Sequence, residues 1–228
     1  MNSSERWKIV SILLSYPDAA FLCTLGEILE YVQDAGDEGL VRVVRALSTT
    51  APEELVCRYV QSFDFQESTA LYLTAHELGD SRERGGALLE LHAMLRSAGL
   101  VLSEGELPDY LPVLFEFLAE KPIGMPTTSL EARLDAVCEG IAGRLETDSP
   151  YRPLFREAAA SLRESVQRED TKDTTADSGD RTGLAGPGTP EESGWRLSTS
   201  GMPVQSPDGN ARVEASDADD LPYPLVYD

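Results

Sequence analysis

Few residues in this chain could carry chemistry. Two histidines, His76 and His92, and three cysteines, Cys23, Cys57 and Cys138, are its whole stock of imidazole bases and thiols. No Cys-x-x-Cys occurs, and neither histidine lies near a cysteine in sequence. An odd number of widely spaced thiols in apolar helical contexts reads as buried free cysteines in a reducing compartment. It does not suggest a disulfide framework, a zinc site or an iron–sulfur site. The glycine patterns that cradle dinucleotides or nucleoside phosphates are absent, as is a Gly-x-Ser-x-Gly elbow. The sequence therefore gives no catalytic residue, no metal ligands and no cofactor to expect.

The residues that stand out instead are charged and aromatic, in two stretches. The first, residues 63–85, combines Phe63, Phe65 and Tyr72 with a dense turn, Gly79-Asp80-Ser81-Arg82-Glu83-Arg84-Gly85. Asp80 or Ser81 can cap the helix that follows. Arg82 and Arg84 are harder to place, because positive charge at a helix N-terminus opposes the helix dipole. Two arginines there imply an acidic partner, within the fold or on a ligand such as a phosphate. The second stretch is Glu106-Leu107-Pro108-Asp109-Tyr110-Leu111-Pro112. Its prolines fix an extended approach and then a helix start. Asp109 reads either as the N-cap, with Pro112 tolerated in the first turn, or as an acceptor on a solvent-facing corner beside a groove.

These stretches need a scaffold, and the periodicity predicts an all-helical one. Ser3 and Ser4 can cap a first helix running to Tyr16 and stopped by Pro17. Asp18 can cap a second, with Leu25, Ile28, Leu29 and Val32 on one face; Leu40, Val43, Val44 and Leu47 repeat that spacing. Thr50 and Glu53 suggest a capping box for a fourth helix, with Val56, Tyr59, Val60 and Phe63 along one side. Residues 66–78 and 81–98 read as helices ended by Gly79 and Gly99, the second with Leu88, Leu91 and Leu95 on a stripe. Asp109 to Glu120 is a further candidate. Ser129 opens a long helix through Leu130, Leu134, Val137, Cys138, Ile141 and Leu145. A last helix starts near Pro150 with Phe155, Ala158 and Leu162 inward. No period-2 run or hairpin signal interrupts this pattern. The expected architecture is a single compact multi-helix bundle of roughly nine helices over residues 1–168. Residues 169–228 are polar and rich in Gly, Pro, Thr and Asp, and read as a disordered acidic tail with an apolar end, LPYPLVYD.

The chain has 19 Lys and Arg against 40 Asp and Glu, a formal net charge of −21. Residues 169–228 hold four basic and 13 acidic residues, so the bundle itself carries −12. Such a field repels nucleic acid and anionic lipid and favours encounter with basic amphipathic peptides. The N-terminal apolar run is short, preceded by Glu5, Arg6 and Lys8 and followed by no cleavage site. No apolar stretch approaches the roughly 20 residues a bilayer demands. A soluble cytoplasmic protein is expected.

Several segments in order resemble the NarJ-type nitrate reductase assembly chaperones, within the TorD-like group of redox-enzyme maturation proteins. They are Trp7 to Pro17, Phe63-Asp64-Phe65, Leu71-Tyr72-Leu73-Thr74, Gly79 to Gly85, Ala87-Leu88-Leu89 and Glu106 to Pro112. One departure is Ala75-His76-Glu77-Leu78, where family members commonly carry a more aromatic, glycine-containing segment. The resemblance covers roughly residues 1–165. It implies an all-helical protein without catalysis that binds the N-terminal segment of the nitrate reductase catalytic (alpha) subunit. That subunit then receives its molybdenum cofactor before docking at the membrane. Sibling chaperones of dimethyl sulfoxide or selenate reductases, and a guanine-nucleotide switch, are the alternatives. On this reading the client peptide would lie in a groove. Leu71, Tyr72, Leu111 and Phe115 would form its apolar floor, unless they are ordinary core. Glu106 and Asp109, with neighbouring Tyr110, would meet basic groups, and Asp80, Arg82 and Arg84 would shape the turn.

Overall fold

The computed structural model describes residues 1–103 and 105–175. Nine α-helices occur among them: α1 (Ser3–Leu13), α2 (Ala19–Asp34), α3 (Glu38–Ser48), α4 (Pro52–Phe63), α5 (Leu73–Leu78), α6 (Arg84–Ser97), α7 (Leu111–Glu120), α8 (Thr128–Arg144) and α9 (Arg152–Thr175). A short 3-10 turn, Glu67–Thr69, precedes α5. The all-helical expectation holds among the described residues, where the one extended pairing is an isolated antiparallel bridge between Tyr72 and Tyr110. α9 runs to Thr175, past residue 168, where the polar tail was expected to begin. The rest of that tail, with its apolar end, lies outside the described residues.

α7 sits at the centre. Its sequence, LPVLFEFLAE, is apolar almost all round, and Leu111 to Phe115, Phe117 and Leu118 are all buried. A helix apolar on every side must be covered on every side. α1 packs along it, with the Trp7 and Phe115 rings 5.8 Å apart and the Ser11 hydroxyl donating 2.8 Å to the Pro112 carbonyl. α8 and α9 form the longest antiparallel pair, α2 packs on α3, and α3 leans on α9. A second aromatic knot joins Tyr59, Phe63, Tyr151 and Phe155, with Phe63 5.0 Å from Tyr59 and 5.2 Å from Tyr151.

The helix faces follow the sequence spacing. Leu25, Ile28 and Val32 are buried, as are Leu40, Val43, Val44 and Leu47, the whole Leu130-to-Leu145 stripe, and Phe155, Ala158 and Leu162. Several ends differ from expectation. α1 is capped by Asn2, not by Ser3 or Ser4: the Asn2 side chain accepts from Glu5 N while Glu5 reaches back to the Asn2 N–H. It also ends at Leu13 rather than Tyr16. Thr50 does not cap α4, because its hydroxyl donates back to Ala46 in the preceding helix; Ala51 takes the cap position and Pro52 opens the helix. The buried side of α4 is Leu55, Tyr59 and Phe63, with Val56 and Val60 half-buried. The segment 66–78 is not one helix: it breaks into the 3-10 turn, the bridge at Tyr72 and the six-residue α5. Gly79, at φ +54°, and Gly99, at φ +82°, do end α5 and α6, in backbone conformations that favour glycine. Of the cysteines only Cys138 is buried, whereas Cys23 and Cys57 sit on the outer faces of α2 and α4. Their helices are amphipathic, and an apolar neighbourhood in sequence does not say which side a residue takes.

Candidate functional site

The two stretches singled out by composition meet in space. Leu73 N donates to Asp109 O and Leu111 N to Leu71 O, each at 2.9 Å, which closes the Tyr72–Tyr110 bridge. The bridge places Thr74, in the first turn of α5, against Asp109, just before α7. The Thr74 hydroxyl donates to Asp109 Oδ2 and accepts from Arg84 Nε at 3.0 Å, while Arg84 Nη2 lies 3.5 Å from the same carboxylate oxygen. Asp109 is fully buried. Arg84, the first residue of α6, thus finds inside the fold the acidic partner that its position at a helix N-terminus demanded.

This geometry corrects both sequence readings of Asp109. It is not the N-cap of α7, since Tyr110 takes that position without any side-chain capping bond. Nor does it face solvent: the carboxylate has no exposed surface, its Oδ2 is held by Thr74 and Arg84, and its Oδ1 is buried without a hydrogen-bond partner. Arg84 turns Nε to Thr74 and Nη2 to Asp109, and its side chain stays 27% exposed. Leu71, Leu111 and Phe115 are buried core rather than an open floor, because the bridge and α7 face the bundle centre. Tyr72 and Tyr110 are half-buried with rings 5.5 Å apart. The Tyr110 hydroxyl lies 3.3 Å from that of Tyr59, which donates to the Leu14 carbonyl at 3.1 Å. Burial, chiefly, holds both phenols above their ordinary range. Asp80 and Arg82 are exposed on the turn. Neither Asp80 nor Ser81 caps α6, whose N-cap is Glu83; Ser81 Oγ instead accepts from Glu83 N at 3.2 Å.

Glu106 belongs to a different feature. With Leu95, Leu100, Val101, Leu102, Val113 and Glu116 it lines a groove of about 200 Å³ between the end of α6, the loop after it and α7. Leu95 forms a buried floor, Leu100 and Leu102 are half-buried, and Val101 is 92% exposed. Leu107, 41% exposed, is the next residue along the loop from Glu106. The groove has apolar walls and carboxylates at its rim, Glu116 sharing its charge with Lys8 at 2.5 Å. Of the ten candidate residues only Glu106 lines it. The missed signal was the run Leu100-Val101-Leu102: three apolar residues after a helix-ending glycine, where a loop is ordinarily polar.

No group of three or more His, Cys, Asp or Glu among the described residues is arranged to hold a metal ion. His76 Nε2 lies 2.7 Å from the Ala70 carbonyl, a local tie across the turn before α5. Burial pushes the Cys138 thiol far above its usual range.

Among the described residues the chain is an all-helical bundle with an apolar, acid-rimmed groove between α6 and α7. Comparison with known proteins gives the particular group. The family model for the nitrate reductase delta subunit matches residues 29–155, more than half of the sequence. A Bacillus subtilis protein described as a probable nitrate reductase molybdenum cofactor assembly chaperone, NarJ, is 36% identical over 180 residues, covering 73% of this chain and 97% of that protein. The Escherichia coli K12 nitrate reductase molybdenum cofactor assembly chaperone NarJ is 38% identical over 156 residues, 64% of this chain and 65% of that one. A crystal structure from Archaeoglobus fulgidus, provisionally described as a redox enzyme maturation protein, shares the fold at a TM-score of 0.58 and 21% identity, covering 72% of this chain and 95% of that one. The chain belongs to the nitrate reductase delta subunit family, on its NarJ-type chaperone branch.

Proposed function

We propose that this protein is the assembly chaperone of a respiratory nitrate reductase. It holds the catalytic subunit while the molybdenum cofactor is inserted and releases it before membrane docking. The relatives named as nitrate reductase chaperones support this assignment. It acts by binding and not by catalysis, and it works in the cytoplasm. No helix among the described residues is long and apolar enough to cross a membrane, which fits that placement.

The client contact is the basic, amphipathic N-terminal segment of the catalytic subunit, lying in the groove between the α6–α7 loop and α7. The observation that carries this reading is the pairing of apolar walls at Leu95, Leu100, Leu102 and Val113 with the rim carboxylate of Glu106. The peptide's apolar face would bury against the walls and its cations against the rim. Tyr72 and Tyr110 lie at the bridge just before α7, and Asp80 and Arg82 on the turn before α6, at the opposite end of that helix from Leu95; Asp109, Arg84, Leu71, Leu111 and Phe115 hold the bridge in shape from beneath. Calorimetric titration of the full chain with that peptide tests the reading. Binding that weakens with added salt and with Glu106→Lys supports it. Binding unchanged by Glu106→Lys and by Leu102→Asp, in variants shown to be folded, would move the client elsewhere.

A further inference from the structure

Residues 169–228 hold 13 acidic residues, yet none of them falls between 193 and 207. That stretch, SGWRLSTSGMPVQSP, carries Arg196 as its one charge, with Trp195 and Leu197 on either side of it. It lies outside the described residues. Its flanks have the opposite character: Glu191 and Glu192 precede it, and Asp208, Glu214 and Asp217 follow. A cation between two large apolar side chains matches what the α6–α7 groove offers. Leu95, Leu100, Leu102 and Val113 form the walls of that groove, and the carboxylate of Glu106 stands at its rim.

We propose, resting on the groove reading given above, that Trp195, Arg196 and Leu197 of the same chain occupy the groove when no client is bound. A groove of about 200 Å³ is smaller than an ordinary small-molecule pocket and takes one or two large side chains. Trp and Arg are the residues that concentrate binding energy when seated in such a place. Arg196 brings to Glu106 the charge that it lacks. The other apolar run of this part of the chain, LPYPLVYD, follows Asp219 and Asp220 and carries Asp228, so the rim would repel it.

Reach permits the contact. α9 ends at Thr175, and Trp195 comes 20 residues on. At roughly 3.3 Å per residue that length spans up to about 65 Å, more than the roughly 40 Å breadth of a domain this size. Tethering on this scale supplies an effective concentration on the order of millimolar. A contact with a Kd of only about 0.2 mM then fills the groove most of the time, and a client enters by displacing it. Weakly matched peptides are kept out, while a well-matched one gains entry.

The test reads Trp195 fluorescence in the full chain by acrylamide quenching, with Trp195→Phe giving the background of the buried Trp7. Trp195 should be shielded in the parent and quenched at least about twofold more readily in Leu102→Asp and Glu106→Lys, read in whichever keeps the parent's thermal midpoint. Client peptide should bind the Trp195→Ser/Leu197→Asp double variant roughly threefold to tenfold more tightly, whereas Leu225→Asp should match the parent in both readouts. Equal quenching in the parent and the groove variants overturns the seat, whatever the client peptide does. A tighter client complex in Leu225→Asp but not in the double variant assigns the groove to the other apolar run and overturns it too. Shielding that the groove variants abolish, with client binding indifferent to them, upholds the seat and removes the client from this groove.

Discussion

Two helices here begin on an arginine with no carboxylate in the first turn, α6 and α9, and the fold treats them in opposite ways. At α6 the charge is answered from within: Arg84 reaches Thr74 and the buried Asp109 across the Tyr72–Tyr110 bridge. At α9 no described carboxylate answers Arg152 and Arg156. The same electrostatic conflict is a fastening in one place and goes unanswered among the described residues in the other. What separates them is topology: a chain reversal delivers an acidic residue beside α6, whereas α3 brings Arg42 beside α9.

If that contrast is right, damage should track burial. Phe115→Ala removes a fully buried ring stacked near Trp7 and should cost about 3–5 kcal/mol, enough to unfold much of the population. Denaturant titration would show it; a folded Phe115→Ala variant with only client binding lost would break the assignment of that residue to the core. Asp109→Ala leaves Arg84, 27% exposed, without its carboxylate and Thr74 without its acceptor. Allowing for that partial exposure, a loss of about 2 kcal/mol and a melting point lower by about 4–8 °C are expected. Glu106→Lys should leave the melting point alone but weaken client peptide binding by about 1 kcal/mol, with a flatter salt dependence. The smallest effect sharpens the contrast most. Arg156→Gln should raise stability by about 0.3 kcal/mol through relief of repulsion from Arg152, measurable as a small upward shift in denaturant midpoint. A loss there would mean that α9 has a partner like that of α6.

The helical frame was legible because amphipathic periodicity is a local signal. Leu130 through Leu145 and Leu40 through Leu47 had only to repeat at helical spacing to declare their buried faces. The ends were less legible, since several residues compete for each cap: Asn2 took the role foreseen for Ser3 or Ser4, and Thr50 bonded backwards. The Tyr72–Tyr110 bridge could not be seen at all, because one residue pair leaves no alternation to detect. For the candidate site, the sequence identified the two stretches that meet, and the positive charge at α6 correctly demanded an acidic partner. It did not show that this partner was Asp109, a residue that looks like a cap until its distant neighbours are known. The Leu100-Val101-Leu102 wall needed the position of α7 before it could read as part of a groove.

The placement of α1 bears on how the molecule is made. Its buried residues Trp7, Val10, Leu13 and Leu14 are covered by α7, and Arg6 is tied to Glu157 and Ser161 of α9. α1 is therefore synthesised well before α7, the helix that covers it. At roughly 5–20 residues per second, its apolar face stays uncovered for about 5–20 seconds before α7 exists to close over it. Through that interval the nascent chain displays an uncovered hydrophobic helix, the kind of surface that general chaperones hold on nascent polypeptides.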